Sequence, residues 1–299
     1  MNTKHFVIPG TGWVKTNSLH LFNLLRVIFR HYPIDAKKYF LIQFLTGTFI
    51  YPAVLIVSKD RAKKLVRKII NRTLSAGIVL PLPFPLVGKV QIQEIESGYA
   101  NLYADDEYRR DMLSKGMVVV DAGAYIGLYT CMAAAIAGDS GKILAFEPDP
   151  VNHRQLLNNV KLNGYKNVTI VQCALAETPG KAKLYMKHHG TVSSLVGDGK
   201  CVDVDLDTLD NVVARMGMAR VDLIKIDVEG FELPVLRGAE KTIKENPEIK
   251  MVIASYHYPT EVSEVSSYLA ERGFNIEVNP EGILFATPGT TRKYNYAAI

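Results

Sequence analysis

The sequence predicts an α/β fold: a mostly parallel sheet with helices on both faces and a last strand that runs antiparallel to the others. From residue 117 onward, short apolar runs that suit buried strands alternate with segments of helical periodicity. This alternation favours a parallel sheet, because each helix carries the chain back to the edge where the next strand starts. The runs FNIEV and ILFAT are separated only by NPEG, which predicts a closing antiparallel hairpin.

Ordinary helix and turn signals bound the individual elements. Asp149-Pro150 starts one helix, and Gly138, Gly164 and Gly273 end others. The runs KAKLYM and CVDVDLDTL alternate apolar and polar residues, which predicts an antiparallel pair inserted after the third core strand. The predicted core strands are 117–121, 142–146, 167–175, 221–230 and 249–257, and the predicted helices are 126–137, 151–163, 209–216, 232–246 and 260–272.

Composition is that of an ordinary globular protein. The chain has 299 residues, 48% of them apolar and 22% charged, which allows one large domain with an extension or two domains. We predict a mainly helical N-terminal extension over 1–80, a connector and β-hairpin lead-in over 81–116, and the main domain over 117–299. The three cysteines lack the spacing of a disulfide framework or a zinc site, which favours a cytoplasmic setting. The N-terminus also lacks the layout of a cleaved signal peptide.

Charge is unevenly distributed along the chain. Residues 1–72 carry 13 Lys and Arg against 2 acidic residues, whereas the remainder carries 22 against 28. The uncharged run 39–57 is close to the length of a membrane span, although its polar residues and proline weaken that interpretation. Three alternatives stay open for residues 18–72: packing on the main domain, peripheral contact with an anionic membrane surface, and a true span.

The densest functional signal is the turn after the first core strand. Asp121, Gly123 and Gly127 form D-x-G-x-x-x-G, and glycines there let the backbone approach a ligand at the N-terminus of the next helix. The second strand ends at Glu147, placed to accept hydrogen bonds from ribose hydroxyls. Together these residues predict an adenosine-containing ligand. Because G-x-G-x-x-G is absent, S-adenosylmethionine fits better than NAD. The alternative for the glycines is tight packing alone.

Four further residues complete the predicted cofactor site. Tyr125 lies within the glycine turn, and Pro148 directly follows the ribose-binding glutamate. Ala174 and Leu175 end the third predicted strand, where the adenine edge is expected. The alternative for the last two is that they are ordinary strand-end residues.

A second group of ionisable residues follows the fourth strand. Lys225, Asp227 and Glu229 alternate with apolar residues and should project to one side. Buried charges are costly unless paired or functional, so a structural ion pair and a catalytic group are the alternatives. His257, beyond the fifth strand, falls on the same rim as a candidate general base or a backbone-bonded loop histidine. The carboxylates would allow a divalent metal, but no spacing demands one, and none is predicted.

These motifs resemble the FkbM-type methyltransferases over about residues 90–285. The resemblance rests on DAGAYIG, on AFEPDP with LLNNVKLNG downstream, and on KIDVEGFELPVLRGAE. It implies a Rossmann-like class I methyltransferase sheet that binds S-adenosylmethionine. By this resemblance the D-x-G-x-x-x-G residues hold the methionine part, Glu147 holds the ribose, and Asp227 and Glu229 lie at the transfer site. Members often carry Glu-x-His after the fifth strand, where this chain has Ser255, which leaves the role of His257 open.

We therefore expect an S-adenosylmethionine-dependent methyltransferase that modifies a hydroxyl of a sugar, glycolipid or secondary metabolite. In-line transfer needs alignment and removal of the hydroxyl proton, with Asp227 or His257 as the base and Glu229 as its orienting partner. The acceptor is expected to be a small molecule or glycan and not a nucleic acid. The alternatives are a nicotinamide-dependent oxidoreductase and a non-catalytic, membrane-associated cofactor-binding protein.

Overall fold

The computed structural model describes residues 4–7, 13–16, 78–81, 89–92, 108–186, 193–195 and 200–289. The chain divides into two compact units, Met1–Glu107 and Tyr108–Ile299. The main sheet lies in the second unit.

Two antiparallel strand pairs are described in the first unit. Strand β1 (Lys4–Val7) pairs with β2 (Trp13–Thr16), and β3 (Ile78–Pro81) pairs with β4 (Lys89–Ile92). The predicted KVQI strand is therefore present as β4, but it pairs with the strand before it, across the proline-rich connector. Its predicted partner at 99–106 lies outside the described residues.

The predicted helix at 18–32 and the apolar run 39–57 also lie outside the described residues. Within the described part of the chain, every helix is too short or too polar to cross a membrane.

The second unit is built on a seven-stranded sheet that confirms the predicted fold class. Its spatial order is β14-β15-β13-β12-β5-β6-β7. The five strands from β13 to β7 are parallel, whereas β15 runs antiparallel to both β13 and β14, as the closing hairpin predicts. The strands are β5 (Val118–Ala122), β6 (Lys142–Phe146), β7 (Val168–Val171), β12 (Leu223–Ile226), β13 (Lys250–Ala254), β14 (Phe274–Val278) and β15 (Ile283–Pro288).

Both faces of the central sheet are covered. Successive strand residues point to opposite faces, yet the neighbours Val119 and Val120, and likewise Leu223 and Ile224, are all fully buried. The covering helices are α1 (Leu128–Ala137), α2 (Pro150–Asn163), α3 (Leu209–Arg215), α4 (Glu232–Arg237), α5 (Glu240–Glu245) and α6 (Glu261–Ala270).

The single helix predicted over 232–246 is wrong, because α4 and α5 are separate. A Cβ added at Gly238 would lie 2.0 Å from the carbonyl oxygen of Ala176, so the chain passes another backbone at this point. The Gly238 carbonyl accepts a hydrogen bond from the amide of Asp210. The backbone is thereby diverted from a continuous helical ladder.

Three predicted strands end earlier than their sequence patterns indicate, and the fifth of the core strands stops at Ala254 instead of residue 257. The third core strand stops at Val171, and Ala174–Leu175 form a separate strand, β8. It belongs to a second sheet of order β10-β9-β11-β8, with β9 (Gly180–Met186), β10 (Ser193–Ser194) and β11 (Cys201–Asp207). The antiparallel pairing of β9 with β11 confirms the predicted insertion.

The fourth core strand, β12, ends at Ile226 instead of continuing to residue 230. Glu229 and Gly230 have φ angles of 59° and 94°, which turn the chain out of the strand. Of Lys225, Asp227 and Glu229, only Lys225 lies in the strand. The alternating side-chain directions predicted for all three therefore do not extend to Asp227 and Glu229.

Candidate active site

The glycine turn joins the ends of two neighbouring parallel strands. Gly123 has a φ angle of 76°, and a Cβ added there would lie 1.9 Å from the carbonyl oxygen of Asp227. The amides of Gly123 and Ala124 donate to the carbonyl of Phe146, which ties the turn to the end of β6. The absence of a side chain at Gly123 thus lets the turn lie directly against the segment that follows β12.

Gly127 lies at the other end of the turn, immediately before α1. Its φ angle is 90°, and an added Cβ would meet the side chain of Leu156 at 2.5 Å. Tyr125, between the two glycines, also has a positive φ, of 52°. Three residues in this conformation make the turn tight, and its amides are largely used in hydrogen bonds within the protein.

Glu147 is held between the glycine turn and the start of α2. Its Oε2 accepts a hydrogen bond of 2.8 Å from the amide of Tyr125, and its Oε1 accepts one of 2.9 Å from the amide of Asp149. Burial, opposed by these hydrogen bonds, raises the pKa of Glu147 to about 7. Pro148, between the two acids, is half-buried. The carboxylate therefore has a fixed orientation.

Asp121 is completely buried beneath the turn. Thr130 donates a hydrogen bond of 2.5 Å to its Oδ2, and the Lys225 ammonium lies 3.2 Å from its Oδ1. Burial alone would lower the pKa of Lys225, but the charges of Asp121 and Asp227 outweigh it and raise this pKa. Lys225 also donates to the carbonyl of Gly123 at 2.9 Å. Asp121 and Lys225 thus form the structural ion pair that was one alternative for the lysine.

Asp227 lies next to this ion pair, and its two carboxylate oxygens contact different groups. Its Oδ2 accepts a hydrogen bond of 2.8 Å from the hydroxyl of Tyr108 and lies 3.9 Å from Lys225 Nζ. Its Oδ1 lies 3.6 Å from Nε2 of His257. Burial would raise the pKa of Asp227, but Lys225, His257 and Tyr108 together lower it to about 2. The side chain is therefore an ionised carboxylate over the whole neutral range.

His257 follows β13, and its side chain contacts the acidic residues that follow β12. Its Nε2 lies 3.9 Å from Glu229 Oε2, and its Nδ1 lies 3.1 Å from Glu261 Oε2 and 3.4 Å from Glu232 Oε1. Burial would lower the pKa of His257, but Asp227 and Glu261 outweigh it and raise the pKa to about 10. The structure thus brings the three predicted catalytic residues together, and Ser194 bonds the carbonyl of Glu229 at 2.9 Å from the inserted sheet.

Two buried glutamates behind His257 were not predicted as site residues. Glu232 and Glu261 have fully buried side chains. Burial raises the pKa of Glu232 to about 9, so Glu232 keeps its proton at neutral pH. Burial would also raise the pKa of Glu261, but hydrogen bonds from His257 and Glu232 outweigh it and lower this pKa. The only sequence signal was the four-residue spacing from His257, which precedes α6, to Glu261, the first residue of that helix.

Ala174 and Leu175, predicted near the adenine edge, are buried in β8 of the second sheet. They pair there with Leu206 and Asp207 of β11. Their contact with a cofactor stays a prediction.

Several known proteins similar to this chain are named as methyltransferases. The sequence profile of the family described as "Methyltransferase FkbM domain" matches residues 121–276. Methyltransferase sdnD of Sordaria araneosa is 30% identical over 230 residues, which span 65% of this chain and 86% of that protein. The 31-O-demethyl-FK506 methyltransferase FkbM of Streptomyces tacrolimicus is 27% identical over 237 residues, spanning 67% and 90%.

Solved structures align over part of this chain. A SAM-dependent methyltransferase from Aquifex aeolicus aligns with a TM-score of 0.40 at 16% identity, covering 63% of this chain and 93% of that one. The family match spans the glycine turn, Glu147, Asp227 and His257. The oxidoreductase alternative is therefore not supported. The chain belongs to the FkbM methyltransferase domain family and is a methyltransferase that uses S-adenosylmethionine.

Proposed function

We propose that this protein transfers a methyl group to a hydroxyl oxygen of a small molecule, such as a sugar, a glycolipid or a secondary metabolite. The observation that carries the proposal is the cluster of Asp227, Glu229 and His257 beside the glycine turn. His257 Nε2 lies 3.6 Å from one carboxylate and 3.9 Å from the other, while the backbone of Asp227 touches Gly123. A cofactor against the turn would have these three side chains next to it.

The cofactor half of the site is the glycine turn with Glu147. S-adenosylmethionine supplies a methyl group on a positively charged sulfur. The turn itself lies at the carboxyl end of the sheet, where ligands of such folds bind. Glu147 is oriented by the amides of Tyr125 and Asp149, and its remaining lone pairs can accept ribose hydroxyls. Asp121 supports the turn from below through Lys225.

The acceptor half of the site is the three-residue cluster. A hydroxyl becomes a better nucleophile when a neighbouring group accepts its proton during attack. Asp227 is the candidate acceptor of that proton, because its neighbours keep His257 protonated at neutral pH, and Glu229 would orient the hydroxyl. Glu261 fixes the imidazole from behind by contacting Nδ1 and by accepting the backbone amide of His257 at 2.8 Å. The protein would thus contribute alignment and proton removal, which are the main requirements of this transfer.

The names of two relatives support an oxygen-bearing small molecule as the acceptor, and the first of them specifies transfer to oxygen. One is a 31-O-demethyl-FK506 methyltransferase. Another, the hexuronic acid methyltransferase AglP of Haloferax volcanii, is 24% identical over 164 residues. Both names describe methylation of an oxygen-rich small molecule or sugar acid, which agrees with a polar acceptor cluster.

An acceptor screen tests this proposal. The purified full chain is incubated with methyl-labelled S-adenosylmethionine and fractionated host glycans, lipids and small metabolites. We expect label in a small-molecule or glycan fraction, in a linkage that resists mild base and hydroxylamine, as a methyl ether does. Label that mild base releases would mean a carboxyl acceptor, and label confined to nucleic acid or protein would equally contradict the proposal.

The non-catalytic alternative is tested in the same assay. A protein that only binds the cofactor would consume no S-adenosylmethionine with any fraction. Conversion to S-adenosylhomocysteine that depends on an added fraction, and that disappears in the Asp227→Ala variant, excludes this alternative.

A further inference from the structure

The cluster at the acceptor half of the site has the composition of a metal-binding site. Asp227, Glu229 and His257 each offer one ligand atom, and these atoms all lie within 4.8 Å of one another. The set consists of two carboxylate oxygens and one imidazole nitrogen. Neighbouring acidic side chains are common on protein surfaces, so the cluster needs independent support from the histidine.

His257 provides that support, because Nε2 is buried and points into the cluster. The side chain is only 8% exposed, and among the described residues no hydrogen-bond partner reaches Nε2. Leaving a buried polar atom without a partner normally costs on the order of 1–3 kcal/mol. Nε2 faces two carboxylates at ion-pair distance only, so a ligand held between them would give it the close partner that it lacks.

The other ring nitrogen has the partner that a metal-binding histidine usually has. Nδ1 lies 3.1 Å from Glu261 Oε2, and the same oxygen accepts the backbone amide of His257. Histidines that bind metals commonly donate their second N–H to a carboxylate, which fixes the ring and leaves the other nitrogen free to coordinate. Glu261 is fully buried and therefore holds the ring firmly.

The distances inside the cluster suit a shared cation. Nε2 lies 3.6 Å from Asp227 Oδ1 and 3.9 Å from Glu229 Oε2, beyond ordinary hydrogen-bond range. If each atom lay about 2.15 Å from a common ion, these separations would correspond to ligand–metal–ligand angles of about 115° and 130°. Small side-chain rotations would bring such angles into regular coordination geometry.

Charge at this rim also favours a cation. Asp227, Glu229 and Glu261 face one another around a single imidazole, while the nearest ammonium, Lys225, is closer to Asp121 than to Asp227. Without a metal ion, the protonated imidazole supplies the positive charge between these carboxylates, and a bound cation would displace the Nε2 proton and take over that role.

We propose that Asp227, Glu229 and His257 bind one divalent cation of the Mn²⁺ type, which accepts both carboxylate and imidazole ligands. The proposal rests on the proposed function in one respect, namely that the cation would coordinate the acceptor hydroxyl beside the methyl donor. A coordinated hydroxyl is more acidic and is held in one position. Sequence spacing alone gave no reason to predict a metal here, because the three ligands come from two strand ends.

Electron paramagnetic resonance of the purified full chain titrated with Mn²⁺ tests the proposal. We expect one bound Mn²⁺ per chain, and Glu229→Gln should weaken its binding at least about tenfold, because one charged ligand is lost. Asp205→Asn is the matched control, since Asp205 is exposed on β11, where its carboxylate lies 3.6 Å from the ammonium of Lys181. It should bind Mn²⁺ like the wild type.

A nitrogen coupling in the electron spin-echo spectrum of bound Mn²⁺ identifies the histidine ligand. It should be present in the wild type and absent in His257→Gln. Wild-type protein that binds no Mn²⁺ at millimolar concentration would overturn the proposal, as would bound Mn²⁺ without nitrogen coupling. Equal Mn²⁺ binding by wild type and Glu229→Gln would also overturn it.

Calorimetric binding of S-adenosylmethionine to the same samples separates this proposal from the proposed function. Protein that binds the cofactor and methylates a hydroxyl without any divalent cation, even after chelator treatment, disproves the metal site and leaves the proposed function intact. Loss of cofactor binding in Glu229→Gln would mean that the variant is misfolded. In that case the wild-type nitrogen coupling decides the question alone.

Discussion

Glu147 is the residue whose ionisation should control cofactor binding. Its carboxylate is 5% exposed, and burial raises its pKa to about 7. Ribose hydroxyls donate hydrogen bonds, so they bind the ionised carboxylate better than the protonated acid. The cofactor should therefore bind more tightly as the pH rises through this pKa and should reach constant affinity above it.

We expect the affinity for S-adenosylmethionine to be about tenfold weaker at pH 6 than at pH 8, as measured by calorimetry. Glu147→Gln is the control, because it keeps the shape of the side chain but cannot ionise. It should bind more weakly at pH 8 and with little dependence on pH. Equal wild-type affinity at both values, or an unchanged slope in Glu147→Gln, would mean that another group governs binding.

Asp227 and Glu147 lie at different halves of the site and should therefore affect different kinetic quantities. Glu147→Ala should weaken binding of S-adenosylmethionine by at least about tenfold, because the carboxylate expected to accept the ribose hydroxyls is lost. Asp227→Ala should chiefly lower kcat, by about a hundredfold or more, because the transfer step loses a group that takes the hydroxyl proton or holds the hydroxyl in place. Equilibrium binding and single-turnover rates separate the two effects, and the opposite pattern would reverse the assignment of the two halves.

At the scale of elements, the glycine turn and the end of β12 depend on each other. Gly123 approaches the Asp227 carbonyl so closely that a methyl group cannot be added without moving one strand end. The same turn carries the amide of Tyr125 that orients Glu147. Packing and ligand binding are thus combined in one motif, so the tight-packing alternative for Gly123 and the functional one are both compatible with the structure.

Gly123→Ala should lower the free energy of unfolding by more than about 2 kcal/mol, because it combines a positive φ with a backbone clash. Gly180→Ala is the matched control, since an added Cβ there meets nothing within 4 Å. It should change stability by less than about 0.5 kcal/mol. Chemical denaturation measures both, and similar stability of the two variants would contradict the described packing.

The order of the elements was readable from the sequence because it depends on local patterns. Alternating apolar runs and helix signals predicted the parallel strands and the final hairpin. The predicted ends of α4 and β12 were wrong, because contacts with backbone distant in sequence determine where these two elements stop. Gly238 ends α4 because it lies against Ala176, and β12 ends where Glu229 adopts a positive φ.

The site was predictable in part for the same reason. Motif residues at strand ends could be placed on one rim, since parallel strands end at the same edge. Glu232 and Glu261 were missed because their contacts with His257 arise only when α4 and α6 pack beside the ends of β12 and β13. Nothing in their local sequence distinguishes them from ordinary acids in the first turn of a helix.

At the scale of the whole molecule, the basic N-terminal region contrasts with the acidic remainder. Residues 1–72 carry 13 Lys and Arg against 2 acidic residues, and lysines and arginines near an apolar segment are attracted to anionic lipid. We propose that residues 18–72 make peripheral contact with such a membrane. This placement would suit a glycolipid acceptor, which would be presented at the same surface.

The full chain should sediment with vesicles that contain anionic lipid at low salt, and much less with neutral vesicles. High salt should release it, because the attraction is largely electrostatic. Replacing the cluster Arg61, Lys63, Lys64, Arg67 and Lys68 by glutamine should abolish binding while leaving methyl transfer to a soluble acceptor intact. Recovery of the wild type wholly in the soluble fraction, with either kind of vesicle, would contradict membrane contact.

The central claim is that the glycine turn and Glu147 bind S-adenosylmethionine for methyl transfer. Calorimetric titration of the purified full chain with S-adenosylmethionine tests it most directly. The structure leads us to expect one site per chain with a micromolar dissociation constant, weakened at least about tenfold in Glu147→Ala. Absence of binding by the folded wild type in several buffers, or equal binding by Glu147→Ala, would contradict the account.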